Sequence, residues 1–196
     1  MKQQLRSLFS LFFLFTLITG VVYPLVVTGI AQAVFNKKAN GSLVVHENQI
    51  IGSELIGQNF VDDKYFWGRP SATGNHPYNA FDQDSLTGSS GSNFGPLSLK
   101  LYESVEKNVL YLQQKNPDSQ VRIPVDLVTS SASGLDPHIS VQAAYFQAPR
   151  IAIARGLELY EVNRIIDEVT ETRQFGILGE PRVNVLSLNL KLDGIQ

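Results

Sequence analysis

The sequence predicts an α+β protein: one N-terminal transmembrane helix followed by a single mixed α/β domain. Three observations predict it. Leu8 to Phe35 is a 28-residue run with no Asp, Glu, Lys, Arg or His. Further on, Leu101, Val105, Val109 and Leu112, and again Leu159, Val162, Ile165, Ile166 and Val169, fall on single helix faces. Between and after them lie short apolar runs bounded by turn residues, which read as strands. Helices mixed with short strands point to α+β.

The apolar run sets the domain plan. As a helix rising about 1.5 Å per residue it is roughly 42 Å long, against a hydrocarbon core of about 30 Å. It is therefore read as an anchor over residues 8–35, with a tail at 1–7 and a domain at 36–196. The rival is a cleaved secretory signal, with Lys2 and Arg6 as its basic flank and Ala31-Gln32-Ala33 as its cleavage site. A signal's apolar core is typically about 7–15 residues, and this run is far longer. Thr16, Gly20, Pro24 and Thr28, followed by Gln32, recur every fourth residue. Small and hydroxylic residues let helix backbones approach closely in lipid, so the first four are helix-interface candidates. Single anchors also carry Gly and Pro without any partner. Pro24 removes one backbone hydrogen bond and is expected to distort the helix. Lys2 and Arg6 with the amino terminus oppose Lys37 and Lys38, which favours a cytoplasmic tail and an extracytoplasmic domain. The absence of cysteine rules out a disulfide scaffold.

Residues 36–196 carry 14 Lys and Arg against 18 Asp and Glu, a net charge of −4. This balance excludes the basic footprint of a nucleic-acid binder. Ser42–Val45 and Gln49–Gly52, joined through His46-Glu47-Asn48, predict a hairpin. Gly52–Ala72 gathers Phe60, Tyr65, Phe66 and Trp67, read as a packed patch, with a site at the bilayer surface as the alternative. Ser71–Pro96 is rich in Ser, Gly, Asn, Thr and Pro, a long irregular stretch whose end, Thr87–Pro96, is expected to be a loop ordered by a partner, with an anion nest as the alternative. Leu97–Gln114 is predicted helical and ended by Lys115-Asn116-Pro117. Val121–Val128 reads as extended but interrupted by Pro124. Ser130–Ser140 is turn-forming. Ser140 is expected to cap a short helix through Phe146, with Pro149 opening the next turn. Leu159–Val169 is an amphipathic helix. Leu186, Leu188, Leu190 and Leu192 alternate with polar residues, the pattern of a half-buried strand.

Several chemistries lack their signatures. There is no G-x-x-x-x-G-K-[ST] loop and no G-x-S-x-G elbow. His46, His76 and His138 are far apart and accompanied by no Cys, which argues against zinc. Asp136-Pro137-His138 is more simply a turn than part of a Ser-His-Asp site. Arg150, Arg155, Arg164, Arg173 and Arg182 could serve a nucleotide. Six interleaved carboxylates from Glu158 to Glu180 favour an ion-pair surface instead. No catalytic or metal-ligating residue is expected.

Taken in order, ELIGQNF (54–60), YFWGRPSA (65–72), SGSNFGP (90–96), PVDLVTSSASGLDPHIS (124–140) and GEPRVNVLSLNLKLD (179–193) form a recognisable set. The chain resembles the KdpC family, the C subunits of bacterial Kdp potassium-transporting ATPases, from the anchor through Asp193. The family usually has Ser-Gly-Gly-Ser-Asn where this chain has Ser89-Ser90-Gly91-Ser92-Asn93. A positive-φ requirement at position 90 would be hard for serine to meet. The resemblance implies an accessory, non-pore subunit of a high-affinity potassium uptake pump in the inner membrane. Its partners would be a pore-forming subunit and an ATP-hydrolysing subunit. It implies stabilisation of the complex and a raised ATP affinity of the catalytic subunit, like a catalytic chaperone. An extracytoplasmic domain cannot meet cytoplasmic ATP, so ATP would be engaged only through the catalytic subunit, by conformational coupling. A nucleotide-binding chaperone is the alternative reading, and an anchored extracytoplasmic hydrolase the third. Arg69, Ser92, Asn93, Asp136 and Arg182 are the expected contact residues of the outer domain.

Overall fold

A computed structural model describes residues 2–73, 76–82 and 87–195. It divides into two compact units at Leu43 and Val44. In the first, α1 (Lys2–Leu17) passes through a π-helical turn (Ile18–Val22) into α2 (Tyr23–Val34). Gln4–Val34 is long and apolar enough to cross a membrane, with a mean hydropathy of 2.2 over its most apolar window. The proline ring at position 24 crowds the carbonyl four residues earlier, that of Gly20. The distortion expected there takes the form of the wider π turn around Gly20. Thr16, Gly20, Pro24 and Thr28 are all exposed on this helix, and nothing lies within 4 Å of a Cβ built at Gly20. Gln32 accepts from Asn36 and Asn40, both at 3.1 Å, and donates to Asn40. That amide cluster leads into α3 (Asn36–Ala39).

The second unit opens with β1 (Leu43–His46) and β2 (Gln49–Ser53), the predicted hairpin. Glu47 and Asn48 both take positive φ (49° and 63°), as a two-residue type I′ turn requires. A second short pair, β3 (Phe81–Asp82) and β4 (Thr87–Gly88), lies in the polar stretch 71–96, parts of which fall outside the described residues. α4 (Leu99–Lys115) follows the predicted helix, with Leu112 buried and Val105 and Val109 packed on the core. Residues 121–128 form no strand, and Val125–Leu127 make a 3₁₀ turn after Pro124. The main body comprises β5 (His138–Ser140), α5 (Val141–Arg155), α6 (Leu159–Val169), β6 (Arg182–Asn184) and α7 (Val185–Leu192). β5 and β6 pair antiparallel, with Ile139 opposite Val183. α6 has a capping box, in which Glu158 and Glu161 bond each other's backbone N–H.

Two expectations are corrected. Ser140 does cap α5, accepting the Ala143 N–H at 3.1 Å. The helix nevertheless runs past Phe146 and through Pro149 to Gly156, which ends it at φ 65°. An interior proline costs about 3 kcal/mol. Burial of Ala144, Gln147, Ala148, Ile151 and Ala152 along one face offsets that cost. Residues 186–192 are a helix, not a strand. The strand lies just upstream, in Arg182–Asn184, and Asn184 then caps α7 by accepting the Ser187 N–H at 3.1 Å. The buried set is Val185, Leu186, Leu188 and Asn189, a helical spacing with a polar residue facing inward.

That inward Asn189 explains the core. Phe66 and Trp67 are buried, yet their segment belongs to no sheet. Asn189 accepts the Phe66 N–H at 2.8 Å and donates to its carbonyl at 3.0 Å. Gln147 does the same for Trp67, at 2.8 and 3.1 Å. Buried backbone groups must be paired, and here two side-chain amides replace a neighbouring strand. Arg150 completes the clamp. It donates to the carbonyls of Asp63 and Tyr65, to Asn116 and to Gln147, and lies 3.8 Å from the Trp67 ring centre. Burial lowers its pKa to about 10, with Asp63 opposing, so it remains a cation at neutral pH.

Asn189→Leu should leave the N–H and C=O of Phe66 unpaired in the core, at about 1–3 kcal/mol each. We expect the melting temperature of the full chain in detergent to fall by roughly 5–15 °C. A change within about 2 °C would mean that these groups find other partners.

Candidate functional site

The clamp delivers the chain to Arg69 two residues later. The Arg69 guanidinium donates to Asp136 at 3.0 Å and to the Ser130 carbonyl at 3.3 Å. Its Nε is buried without a partner among the described residues. The Arg69 carbonyl accepts the Tyr78 hydroxyl at 2.6 Å. Burial, and then the Asp136 charge, push that phenol well above its ordinary range. Tyr78 takes φ 61°, and its ring fills space that two glycines leave open. A Cβ at Gly57 would fall 2.4 Å from the ring, and one at Gly68 2.3 Å from the hydroxyl. Glycine is required at both places by close approach rather than by φ.

The two polar stretches of the sequence interlock behind this arginine. Ser71 donates to the Gly134 carbonyl at 2.7 Å and accepts the Tyr78 N–H at 2.9 Å. Ser89 donates to Ser133 O and Ser90 to Ala72 O. Gly91 packs on Ala132 so tightly that a Cβ would lie 2.8 Å from its carbonyl oxygen. Ser90 is not in the positive-φ region, and Asn93 is, at φ 52°. The serine at position 90 is therefore accommodated without strain.

In front of Arg69 lies an open cleft of about 860 Å³, walled by residues 121–126, Thr129, the β5 strand and Glu180-Pro181-Arg182. Most of its ionic groups engage one another. The Asp136 carboxylate accepts the His138 N–H at 3.0 Å, in the expected turn. The His138 ring stands between two carboxylates, Nδ1 3.7 Å from Asp136 and Nε2 3.7 Å from Glu171. Glu171 in turn pairs with Arg182 at 2.9 Å. Burial raises the Asp136 pKa, but the His138 ring and backbone N–H, with Arg69, outweigh it and hold the carboxyl down at about 2. Asp126 accepts the Ser140 N–H at 2.7 Å and its hydroxyl at 3.2 Å, while that hydroxyl caps α5. Among the described residues no serine hydroxyl bonds to His138. Arg122, on the rim, has no hydrogen bond or ion pair among the described residues.

Of the five expected contact residues, Arg69, Asp136 and Arg182 meet at this cleft. Ser92 is half-buried and Asn93 exposed on the 89–93 loop, away from the cleft lining. Of the arginine row, Arg155, Arg164, Arg173 and Arg182 form ion pairs with carboxylates. Arg150 does not belong with them, being the buried cation of the clamp. Sequence reasoning missed Tyr78, Asp126 and Gln147. Asp126 lies within the P-V-D-L motif, and Gly57 and Gly68, both within recognised motifs, mark the space that Tyr78 fills.

The family profile described as "K+-transporting ATPase, c chain" matches residues 5–194. A potassium-transporting ATPase KdpC subunit of Polynucleobacter asymbioticus is 57% identical over 194 residues, 99% of this chain and 100% of that one. The corresponding subunit of Dechloromonas aromatica is 53% identical over 195 residues, 100% of this chain and 99% of that one. That of Polaromonas naphthalenivorans is 52% identical over 196 residues, 100% of this chain and 97% of that one.

Because the folded Asp136 carboxyl titrates near 2 rather than at 3.8, it stabilises the fold fully above about pH 4. That contribution, on the order of 2 kcal/mol, is lost as pH falls from about 4 to 2. Denaturant unfolding of wild type and Asp136→Asn across this range should show the two stabilities converging toward low pH. A constant difference would exclude Asp136 as the source.

Proposed function

Because the chain belongs to the KdpC family, the C chains of K+-transporting ATPases, we propose that it is the accessory, non-pore subunit of an ATP-driven potassium uptake pump. It stabilises the complex, and it raises the ATP affinity of the catalytic subunit through the assembly. Residues 8–35 cross the cell membrane, residues 1–7 are cytoplasmic, and residues 36–196 form an extracytoplasmic domain. Thr16, Gly20, Pro24 and Thr28 form the helix face that meets the pore-forming subunit. Arg69, Ser92, Asn93, Asp136 and Arg182 belong to the domain's contact surface.

One observation carries the reading that the domain acts by contact. The polar groups best suited to chemistry in the cleft are engaged with each other: Arg69 with Asp136, His138 with two carboxylates, Arg182 with Glu171, and Asp126 with Ser140. Such a network is a shaped, rigid surface. Four arginines of the row being paired likewise leaves the nucleotide-site alternative little support. An effect on ATP affinity then requires the chain to bind different pump states with different affinities.

The test is potassium-stimulated ATP hydrolysis per assembled complex. His138→Ala should retain most turnover once assembled, whereas Arg69→Ala should first lower complex yield or potassium affinity. A general acid or base is worth about 10²–10⁴-fold, so a loss of that size in a normally assembled His138→Ala complex would overturn the contact reading. In the same preparations Gly20→Leu should reduce yield more than Phe12→Leu, because bulk at Gly20 holds two helices apart. Equal yields would remove the helix face.

A further inference from the structure

Between α6 and β6 the chain makes a narrow excursion, residues 170–181, whose tip carries its apolar side chains outward. Phe175 is 83% exposed, Ile177 75% and Leu178 55%. None of the three belongs to the core cluster or packs against it. The excursion is nevertheless ordered by its own bonds. Glu171 and Arg182 exchange backbone hydrogen bonds at 2.8 and 3.1 Å, and Gln174 and Leu178 do so at 2.9 Å each way. Two ion pairs staple its flanks, Arg182 to Glu171 at 2.9 Å and Arg173 to Glu180 at 2.6 Å. Phe175 is held at φ 54°, a region that bulky residues rarely adopt. Gly176, between Phe175 and Ile177, and Gly179, after Leu178, take φ 76° and 77°. A strained aromatic on a stapled tip is the geometry of a preformed anchor, with little backbone freedom to lose on docking.

We propose that Phe175, Ile177 and Leu178 are a plug that inserts into an apolar groove on another subunit of the pump. This rests on the reading of the chain as a pump subunit. Residues 174–179 carry no charge, and each flanking arginine already has its carboxylate, so insertion buries no unpaired ion. A lipid surface fits less well. Residues 170–181 hold two carboxylates, Glu171 and Glu180, against one cation, Arg173, and residues 36–196 carry net −4. Neither offers the excess basic charge that draws a protein to anionic headgroups. Apolar side chains at the centre of a groove, ringed by paired polar groups, are where binding energy concentrates.

The chain has no cysteine, so Ile177→Cys supplies its only thiol. The rate at which a water-soluble maleimide adds mass to this subunit is compared between the full chain alone in nanodiscs and the assembled pump. We expect labelling at least tenfold slower in the pump. We also expect Phe175→Ser with Ile177→Ser to cut complex yield at least tenfold while leaving the chain's melting temperature unchanged. Equal labelling rates in an intact pump would overturn the plug and leave the subunit reading standing. Slow labelling already in the chain alone would assign the tip to lipid or to a second copy, and overturn it too. If the wild-type chain does not co-purify with the other pump subunits, the subunit reading itself fails and the plug with it.

Discussion

Phe66 and Trp67 run extended through the interior with no strand beside them, and the fold depends on how their backbone is paired. Two N–H and two C=O groups that would otherwise be buried unmatched are taken up by the carboxamides of Gln147 on α5 and Asn189 on α7. An amide side chain carries an NH2 donor and a carbonyl acceptor side by side, so each can imitate the edge of a neighbouring strand. The arrangement is demanding, because an unpaired group in low dielectric is far more costly than its bond is stabilising. Both helices must therefore present these residues inward. Arg150 adds a third support, tying the carbonyls of Asp63 and Tyr65 to α5 and covering Trp67, whose ring also stacks on Tyr111 of α4.

The candidate contact surface follows from that clamp. Arg69 leaves the clamped segment in a set direction, its side chain pairs with Asp136 in the turn before β5, and its carbonyl holds Tyr78. The serine-rich loops then interlock behind it through backbone carbonyls. The result is a polar face made of loops yet held at fixed positions, which suits recognition of a neighbouring subunit. Membership in a family of pump C chains and a helix fit to cross a membrane agree with a role exercised by binding.

Much of this could be read from the sequence, and the failures have a common cause. α4 and α6 were legible because each buries one face at helical spacing. The first hairpin was legible because its turn residues mark it. α7 was misread because Leu186 to Leu192 alternate perfectly with polar residues. The decisive fact is that Asn189 faces inward, and its partner Phe66 lies 123 residues away. Pro149 misled for the same reason, since tertiary burial overrides a local preference. Arg69 and Asp136 stood out within motifs. Tyr78 and Gln147 did not, because a tyrosine filling the space beside two glycines and a glutamine reaching Trp67 have no local pattern.

The amide protons of Phe66 and Trp67 test the clamp most directly. Both belong to a segment outside any helix or strand, where amides ordinarily exchange quickly. If Gln147 and Asn189 hold them as described, native-state hydrogen exchange should find both as slow as the buried amides of α5, opening only with global unfolding. Exchange at the rate of the exposed loops would contradict the account, since the segment that aims Arg69 would then be held by packing alone.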